Sequence, residues 1–442
     1  MYIRSLLDRW QREETGAVAL MFGVSVIVLI TIAGVAIDSS RVYNVATKAD
    51  DALDAAALAS AKLLDDEAAT DAEFQAVAEN YVNAYLKRNR VDHVTWSNIR
   101  AFPNRIDSSV TVTVDISMPA LFGKVSNNFA KFEFTPTSTV VYRPKKIEMA
   151  LVLDITGSMC DVPPAFAADA CSNGAKISAL KSAANQMVDT MAATTPLKDA
   201  IRISVVPYSA SVNAGAYADL VSASKSTDGC VVERVGVASY TDAAPIGAGA
   251  LGTSSVAQNP SYSCPSAEVL PLTDISDTTG VDTVKDAINA LKGFGGTAGH
   301  LGAAWGWYTL SPSWSTVWPS ASRPKDYDKD KIIKVVVLMT DGMFNTAYRN
   351  GGESFIWPDI RTGDKSLPGT SGYQALKICE NIRNKNGEAQ LYTIGFQTPV
   401  EAEILLKECS GDATFFSAGS ASQLIDAFKS IANKLTMLRV AS

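Results

Sequence analysis

The run from Gly16 to Ile37 contains no charged residue, and this feature limits the possible folds more than any other in the sequence. A helix over this run would be about 33 Å long, and the hydrocarbon core of a bilayer is about 30 Å thick. A cleaved signal peptide is the alternative, but its apolar part usually has ~7–15 residues and ends near an Ala-x-Ala-like cleavage site, which this run lacks. We therefore predict one transmembrane helix at 16–37.

The residues on either side of this helix indicate which part is exported. Basic residues decide little, because three precede the helix and two follow it: Arg4, Arg9, Arg12, Arg41 and Lys48. All six cysteines follow the helix, and an even number is typical of an oxidising compartment. We predict that residues 1–15 form a cytoplasmic tail and that the long remainder lies outside the cytoplasm.

Composition excludes several classes of protein. Hydrophobic residues make up 47% of the chain and charged residues 19%, which is not the composition of a disordered chain. The net charge of −7 comes without a cluster of Lys and Arg, so we expect no nucleic-acid partner. Two histidines, His93 and His300, leave little material for a zinc site built from His. We expect His93 to be a structural residue in a strand.

Periodicity separates a small module from a larger domain. Helical patterns at 38–64 and 69–88 precede alternating patterns at 110–116 and 132–134, so residues 38–145 are predicted to form an Ala-rich helix and a small α+β module. From residue 146, strands predicted at 149–153, 201–206, 333–339 and 391–396 alternate with helices at 175–192, 281–292, 298–309, 371–386 and 420–436. This order predicts an α/β domain over 146–442 with a doubly wound, mostly parallel sheet. Stretches near 209–265 and 343–370 are predicted to be surface insertions.

Acidic and hydroxyl residues follow the strands of this predicted sheet. In doubly wound sheets, ligands bind at the carboxyl ends of the strands. Three loops at these ends supply two carboxylates and three hydroxyls: Asp154, Thr156, Ser158, Thr297 and Asp341. An all-oxygen set suits a hard divalent cation, Mg²⁺ first, with Mn²⁺ or Ca²⁺ as alternatives. The other interpretation is that both Asp residues cap helices or bind loop amides.

This set resembles the metal-ion-dependent adhesion site of von Willebrand factor A-type domains, which follows Asp-x-Ser-x-Ser, a later Thr and a later Asp. Thr156 stands where that pattern has Ser and keeps the hydroxyl. The resemblance covers about 146–442, without the insertions. It implies that hydroxyls and carboxylates hold the cation directly or through water and leave one position for the carboxylate of a protein partner.

The order of parts resembles TadG-type proteins of Tad/Flp pilus assembly. Gly16-Ala17-Val18-Ala19 opens the span, an Ala-rich helix follows, and the A-type domain ends the chain. The resemblance implies a single-pass protein of the bacterial inner membrane with its main domain in the periplasm or outside the cell. Its expected role is metal-dependent binding of a pilus or envelope component, or surface adhesion. A structural envelope protein whose cation only stabilises the fold is the alternative.

We predict that the chain is not an enzyme. Ser158 has no His nearby in sequence, and no phosphate-binding loop of the Gly-x-x-x-x-Gly-Lys-Ser type is present. His300 could face the cation site, but a surface or capping role at a helix start is favoured over that. Asp274 and Asp277 are interpreted as the capped start of the helix at 281–292.

The six cysteines are predicted to form three disulfides between sequence neighbours. The pairs are Cys160–Cys171, Cys230–Cys264 and Cys379–Cys409. Six cysteines allow 15 pairings, and nearest neighbours need the least rearrangement. Buried free thiols are the alternative.

Overall fold

The computed structural model describes most of the chain. The described residues are 14–65, 68–89, 93–122, 130–142, 145–161, 170–194, 198–226, 228–253, 264–349, 354–356, 368–385 and 388–440. The chain divides into two compact units, Met1–Arg143 and Pro144–Ser442. Most of the predicted cytoplasmic tail and much of the 343–370 stretch lie outside the described residues.

The first unit begins with one long helix. Helix α1 runs without interruption from Glu14 to Ala61. In its apolar part the large side chains are exposed, among them Val18, Ile27 and Ile32. Of the described residues, only this helix is long and apolar enough to cross a membrane. A core helix of equal hydrophobicity would be buried, so the exposure favours a membrane span.

The later part of α1 packs against the rest of the first unit. The other elements are helix α2 (Asp71–Arg88) and strands β1 (Thr95–Asn104), β2 (Ser109–Pro119), β3 (Lys131–Phe134) and β4 (Thr137–Val141). Strand β2 pairs antiparallel with each of the other three strands. Ala49, Ala52 and Ala56 of α1 are fully buried beside Phe74 of α2. Their small side chains allow the two helices to approach closely.

A six-stranded sheet forms the centre of the second unit. The strands of this unit are β5 (Lys146–Asp154), β6 (Ile201–Tyr208), β7 (Val212–Asn213), β8 (Cys230–Val232), β9 (Gly252–Thr253), β10 (Leu270–Asp274), β11 (Ile332–Thr340), β12 (Ala347–Arg349), β13 (Ser354–Ile356), β14 (Ala389–Phe396) and β15 (Phe415–Ala418). The large sheet has the order β10-β6-β5-β11-β14-β15. Five of its strands run parallel, and β10 at the edge is antiparallel to β6.

Helices cover both faces of this sheet. They are α3 (Ala175–Ala192), α4 (Ala218–Val221), α5 (Thr278–Asn289), α6 (Gly299–Leu310), α7 (Ser371–Arg383), α8 (Val400–Ser410) and α9 (Ala421–Val440). Helices α3, α5 and α9 share a core with Met149 and Val335, whereas α6, α7 and α8 share a second core with Val152 and Leu338. Successive side chains of a strand point to opposite faces, so strands covered on both sides are mostly apolar.

Helix α6 lies very close to the sheet. All of its residues are buried. A Cβ atom at Gly306 would lie 2.5 Å from Cγ2 of Val152, and one at Gly302 would lie 2.6 Å from the ring of Tyr208. Only glycine permits so close an approach. The loop that precedes α6, which contains Thr297, is therefore held at the carboxyl ends of the neighbouring strands.

Two predictions about the fold are wrong in detail. His93 lies in a turn with a φ of 61°, not in a strand, because strand β1 begins only at Thr95. The 209–265 stretch is not purely a surface insertion. Its residues Val212, Val231 and Val232 are fully buried in the core that contains α6, because they cover apolar area on that face of the sheet.

Candidate functional site

The site begins where strand β5 ends. The carboxylate of Asp154 is fully buried there. Its Oδ1 accepts a hydrogen bond from the backbone N–H of Thr156 at 2.8 Å, so the side chain holds the turn that follows the strand. Its Oδ2 accepts a hydrogen bond at 2.6 Å from Oγ1 of Thr340, the last residue of β11. These bonds join the ends of two neighbouring parallel strands at Asp154.

Four of the five predicted ligands form one continuous hydrogen-bonded group. The hydroxyl oxygens of Thr156 and Ser158 are 2.9 Å apart. The hydroxyl of Ser158 donates to Oδ1 of Asp341 at 2.6 Å. Asp154 is bound to the backbone of Thr156, as described above. The structure thus brings together Asp154, Thr156, Ser158 and Asp341.

Thr297 is placed beside this group by the backbone. The loop that contains it is tied to the first loop, because Phe294 N–H donates to Ile155 O at 2.7 Å and Gly157 N–H donates to Gly295 O at 2.9 Å. Thr297 N–H donates to Oδ1 of Asn345 at 2.8 Å, which ties it to the loop after Asp341. Its hydroxyl makes no hydrogen bond to the other four residues in the described part of the chain.

A disulfide closes the first loop. The structure forms all three predicted pairs, Cys160–Cys171, Cys230–Cys264 and Cys379–Cys409, so the nearest-neighbour pairing is confirmed. Cys171 also exchanges two backbone hydrogen bonds with Gly293. A Cβ atom at Gly293 would lie 2.6 and 2.9 Å from the sulfurs of Cys160 and Cys171, so a glycine is needed for this contact. The disulfide therefore closes the Ser158 loop and packs it against Gly293 of the Thr297 loop.

Replacing Cys160 and Cys171 together by Ser is expected to lower the free energy of unfolding by roughly 3 kcal/mol, since the bond closes a short loop. Chemical denaturation measures this change. The matched control is the double replacement of Cys379 and Cys409, whose disulfide links helices α7 and α8. Only replacement of Cys160 and Cys171 should also weaken cation binding in calorimetry. Equal weakening by both double replacements would contradict a specific role of the Cys160–Cys171 disulfide at the site.

The site is strongly acidic for its degree of burial. Burial, followed by the charge of Asp341, raises the pKa of Asp154 to about 7. The Nζ of Lys176 lies 2.7 Å from Oδ2 of Asp341, whose side chain is fully buried. Burial also raises the pKa of Tyr208 well above its ordinary value, so its hydroxyl stays protonated, 3.4 Å from Oδ2 of Asp154. Two buried carboxylates thus lie close together at this site, and Lys176 contacts one of them, Asp341.

The raised pKa of Asp154 predicts how stability depends on pH when divalent cations are chelated. The folded state binds a proton at Asp154 up to a pH of about 7, whereas the unfolded chain loses it near 3.8. Stability therefore falls as the pH rises from about 4 to about 7, by at most about 1.4 kcal/mol per pH unit. The free energies of unfolding of the unaltered protein and of Asp154→Asn, measured by urea unfolding, should differ by an amount that changes between about pH 4 and about pH 7. A difference that stays constant over this range would contradict the raised pKa of Asp154.

Three contributors to the site are not predicted from the sequence. Tyr208 and Thr340 are the last residues of β6 and β11, and their positions at strand ends could have indicated them. Lys176 lies in the first turn of α3. A cation at a helix amino terminus opposes the helix dipole, and this unusual position is the only signal in the sequence for its role.

His300 is neither at the predicted cation site nor at the surface, so its predicted surface or capping role is wrong. It is buried, with Nδ1 2.7 Å from the hydroxyl of Ser371 and Nε2 3.6 Å from Oε2 of Glu233. The side chain fills the second core, because α6 is buried on all sides. By contrast, Asp277 caps helix α5 by accepting from Gly280 N–H at 2.8 Å, as predicted.

One other group of potential ligands lies within reach of a metal ion in the described part of the chain. It consists of Asp228, Cys230 and Cys264. The two cysteines form a disulfide with each other. Metal ions bind the thiolate form of Cys, which a disulfide does not offer. The all-oxygen group at Asp154 is therefore the stronger candidate.

Comparison with known proteins finds one matching sequence family and several similar solved structures. Residues 16–63 match the family described as "Putative Flp pilus-assembly TadE/G-like". No curated protein matches the chain. Similar solved structures include the pilus adhesin SpaC from Lactobacillus rhamnosus GG, at 12% identity and a TM-score of 0.38, over 78% of this chain and 34% of that one. This chain thus spans about a third of the length of SpaC.

Two further structures are similar at the same level. The PilB minor pilin from Streptococcus sanguinis has 12% identity and a TM-score of 0.37, over 78% of each chain. The vWF domain of the type V pili tip protein Mfa5 from Porphyromonas gingivalis has 14% identity and a TM-score of 0.37, over 67% of this chain and 97% of that one. The resemblance to TadG-type proteins is predicted from the order of the segments in the chain. It is confirmed for residues 16–63, which match the TadE/G-like family.

Proposed function

We propose that the protein is a membrane-anchored component of Tad/Flp pilus assembly or surface adhesion that binds a carboxylate of a protein partner through a divalent cation. The observation that carries the proposal is the meeting of Asp154 and Asp341 with the hydroxyls of Thr156 and Ser158 at the ends of β5 and β11. The TadE/G-like match at 16–63 supports the pilus context.

We further propose that the second unit has the fold of a von Willebrand factor A-type domain with a doubly wound sheet. Five parallel strands, helices on both faces and the Asp-x-Thr-x-Ser sequence at the end of β5 support this. The donor set fits Mg²⁺, with Mn²⁺ or Ca²⁺ as alternatives, because all of its donor atoms are oxygens and two of its residues supply buried carboxylates. Asp154, Thr156, Ser158 and Asp341 would hold the ion directly or through water, with Thr297 beside them.

An accessible edge of the site favours binding over a purely structural role. Ser158 is exposed, although Asp154 and Thr156 beside it are buried. A partner's carboxylate can therefore approach from the side of Ser158 and complete the coordination of the cation. The burial of Asp154 favours the second candidate, a structural envelope protein whose cation only stabilises the fold.

A pull-down in the presence of Mg²⁺ or of a chelator tests the proposal. The bait is the full chain in detergent, beside its Asp154→Asn variant and an Asp189→Asn control on the exposed surface of α3. We expect chelation and Asp154→Asn to release the same envelope protein, and Asp189→Asn to retain it. The structural candidate instead expects a large fall in melting temperature on chelation, with partner binding unchanged.

We also propose that the protein is not an enzyme. Ser371, His300 and Glu233 are the one Ser, His and Glu set that the described residues bring close together. All three side chains are at least nine-tenths buried, which leaves a substrate no access to the Ser371 hydroxyl. Nucleophilic catalysis needs an accessible nucleophile beside its base.

The proposed topology has the amino terminus in the cytoplasm of a bacterial cell and residues 38–442 beyond the inner membrane. The three disulfides support it, because such bonds persist in oxidising compartments. Protease added to spheroplasts is expected to digest residues 38–442. Complete protection of that part, with digestion only after lysis, would reverse the topology.

A further inference from the structure

The loop after strand β2 is attached to helix α1 inside the uncharged run. Between residues 31 and 40 of α1, only Gly34 and Asp38 are buried. A Cβ atom at Gly34 would lie 2.7 Å from Cβ of Phe122, so Phe122 packs directly on the helix backbone. Gly34 lies three residues before Ile37, the end of the uncharged run, which corresponds to about 4.5 Å along the helix axis.

Asp38 and Arg41 hold the backbone of this loop. The two carboxylate oxygens of Asp38 accept hydrogen bonds from the N–H groups of Leu121 and Phe122, each at 3.0 Å. The Nη1 atom of Arg41 lies 3.5 Å from Oδ1 of Asp38 and donates to Pro119 O at 3.3 Å. The N–H of Ala120 donates to Ala130 O. The N–H groups of Ala120, Leu121 and Phe122 are therefore all bonded within the protein, as irregular backbone requires where it meets a bilayer.

The side chains of Leu121 and Phe122, the described residues that follow Ala120, are apolar and exposed. Leu121 is 57% exposed and Phe122 is 38% exposed. On the same face of α1, one turn to either side of Gly34, Ile30 and Ile37 are exposed as well. Leu121 and Phe122 thus continue the apolar surface of the helix and do not form an isolated patch. Single exposed apolar residues are common on soluble surfaces, but a continuous surface of this kind marks contact with a partner or with lipid.

We propose that Leu121 and Phe122 form a second membrane contact, which enters the bilayer beside α1 on the side that faces residues 38–442. The lipid surface is the partner, because the loop is joined to the membrane helix at a level inside the uncharged run. Apolar groups at the boundary between headgroups and acyl chains insert to about 5–10 Å, which includes the level of Gly34. The proposal rests on the proposed membrane anchor. It extends that proposal by specifying how deeply the first unit inserts into the bilayer.

Site-directed spin labelling of the full chain in lipid nanodiscs tests the proposal. All six cysteines form disulfides, so a single introduced Cys takes the label. Three variants are compared: Leu121→Cys, Ile27→Cys within the proposed span, and Ile106→Cys, which is 93% exposed between β1 and β2. Collision rates with oxygen report contact with lipid, and collision rates with an aqueous nickel chelate report contact with water.

We expect the oxygen-to-nickel ratio at position 121 to be several-fold higher than at position 106 and to approach that at position 27. A ratio at 121 equal to that at 106, with a high ratio at 27, would overturn the loop contact alone. A low ratio at 27 would overturn both the anchor and the loop contact. Peptide mapping of the labelled proteins for the three native disulfides confirms that each variant is folded.

Discussion

Replacing Asp154 by Asn is expected to weaken the binding of Mg²⁺ or Mn²⁺ at least about 100-fold. Even residues that only orient a metal ligand contribute about 10–100-fold to affinity, and Asp154 supplies a buried charge to the site itself. The replacement keeps the shape of the side chain and its bond to the hydroxyl of Thr340, while it removes the negative charge. Calorimetric titration of the two proteins with each cation measures the change.

The metal-free Asp154→Asn protein should be at least as stable as the metal-free unaltered protein at pH 8. Above a pH of about 7 the ionised Asp154 lies near Asp341 in a buried site, which destabilises the folded state. Lost cation binding in a protein of undiminished stability therefore cannot be a defect of folding. Asp189→Asn serves as the control for a charge lost elsewhere. Unchanged cation affinity in Asp154→Asn would show that the site is misplaced.

The centre of the sheet could be predicted because its strands are apolar on both faces. Strands β5, β6, β11 and β14 are mostly apolar in sequence, and parallel strands carry their carboxyl ends to one edge. Asp154 ends one of these strands and Asp341 follows the end of another, and β-pairing places the two strands side by side. Hence the meeting of these two carboxylates could be predicted without coordinates.

The edges of the sheet could not be predicted in the same way. Strand β10 is short and contains Pro271, which is compatible with an edge strand but not with a recognisable apolar run. Strand β15 has only four residues. Both pair with one neighbour, so tertiary contacts and not local pattern select their conformation.

The contacts of side chains on the helices around the site could not be predicted from the sequence either. Lys176 contacts Asp341 only because α3 begins beside the end of β11, and no spacing in the sequence indicates this. His300 follows Thr297 closely in sequence, but the turn of α6 directs it into the core, toward Glu233. In each case the direction in which a helix presents a residue decides the contact.

Lys176 has the position of a cation tethered within the site. Its ammonium group contacts Oδ2 of Asp341, and its side chain is 27% exposed. The group lies in the first turn of α3, where the helix dipole disfavours a positive charge. The carboxylate of Asp341 offsets this cost. A divalent cation bound to the same carboxylate would have to displace the ammonium group or accept its repulsion.

Replacing Lys176 by Met is therefore expected to tighten the binding of Mg²⁺ or Mn²⁺ by roughly 10–100-fold. Two unit charges about 4 Å apart near a protein surface repel by about 4 kcal/mol, and displacement of the flexible side chain recovers part of this. Met keeps the length and apolar stem of the side chain. The metal-free variant should be less stable than the unaltered protein at pH 8, since it leaves the buried carboxylate of Asp341 without its counter-charge.

Calorimetry at constant pH measures the affinity, and thermal unfolding with and without cation measures the two stabilities. Lys181→Met is the matched control on the same helix, because Lys181 donates to Ser172 O and not to a carboxylate of the site. Its cation affinity should equal that of the unaltered protein. If Lys176→Met bound the cation more weakly, Lys176 would be an element that orients Asp341 for coordination. A tighter complex in Lys176→Met alone would instead show that the lysine and the divalent cation compete for the carboxylate of Asp341.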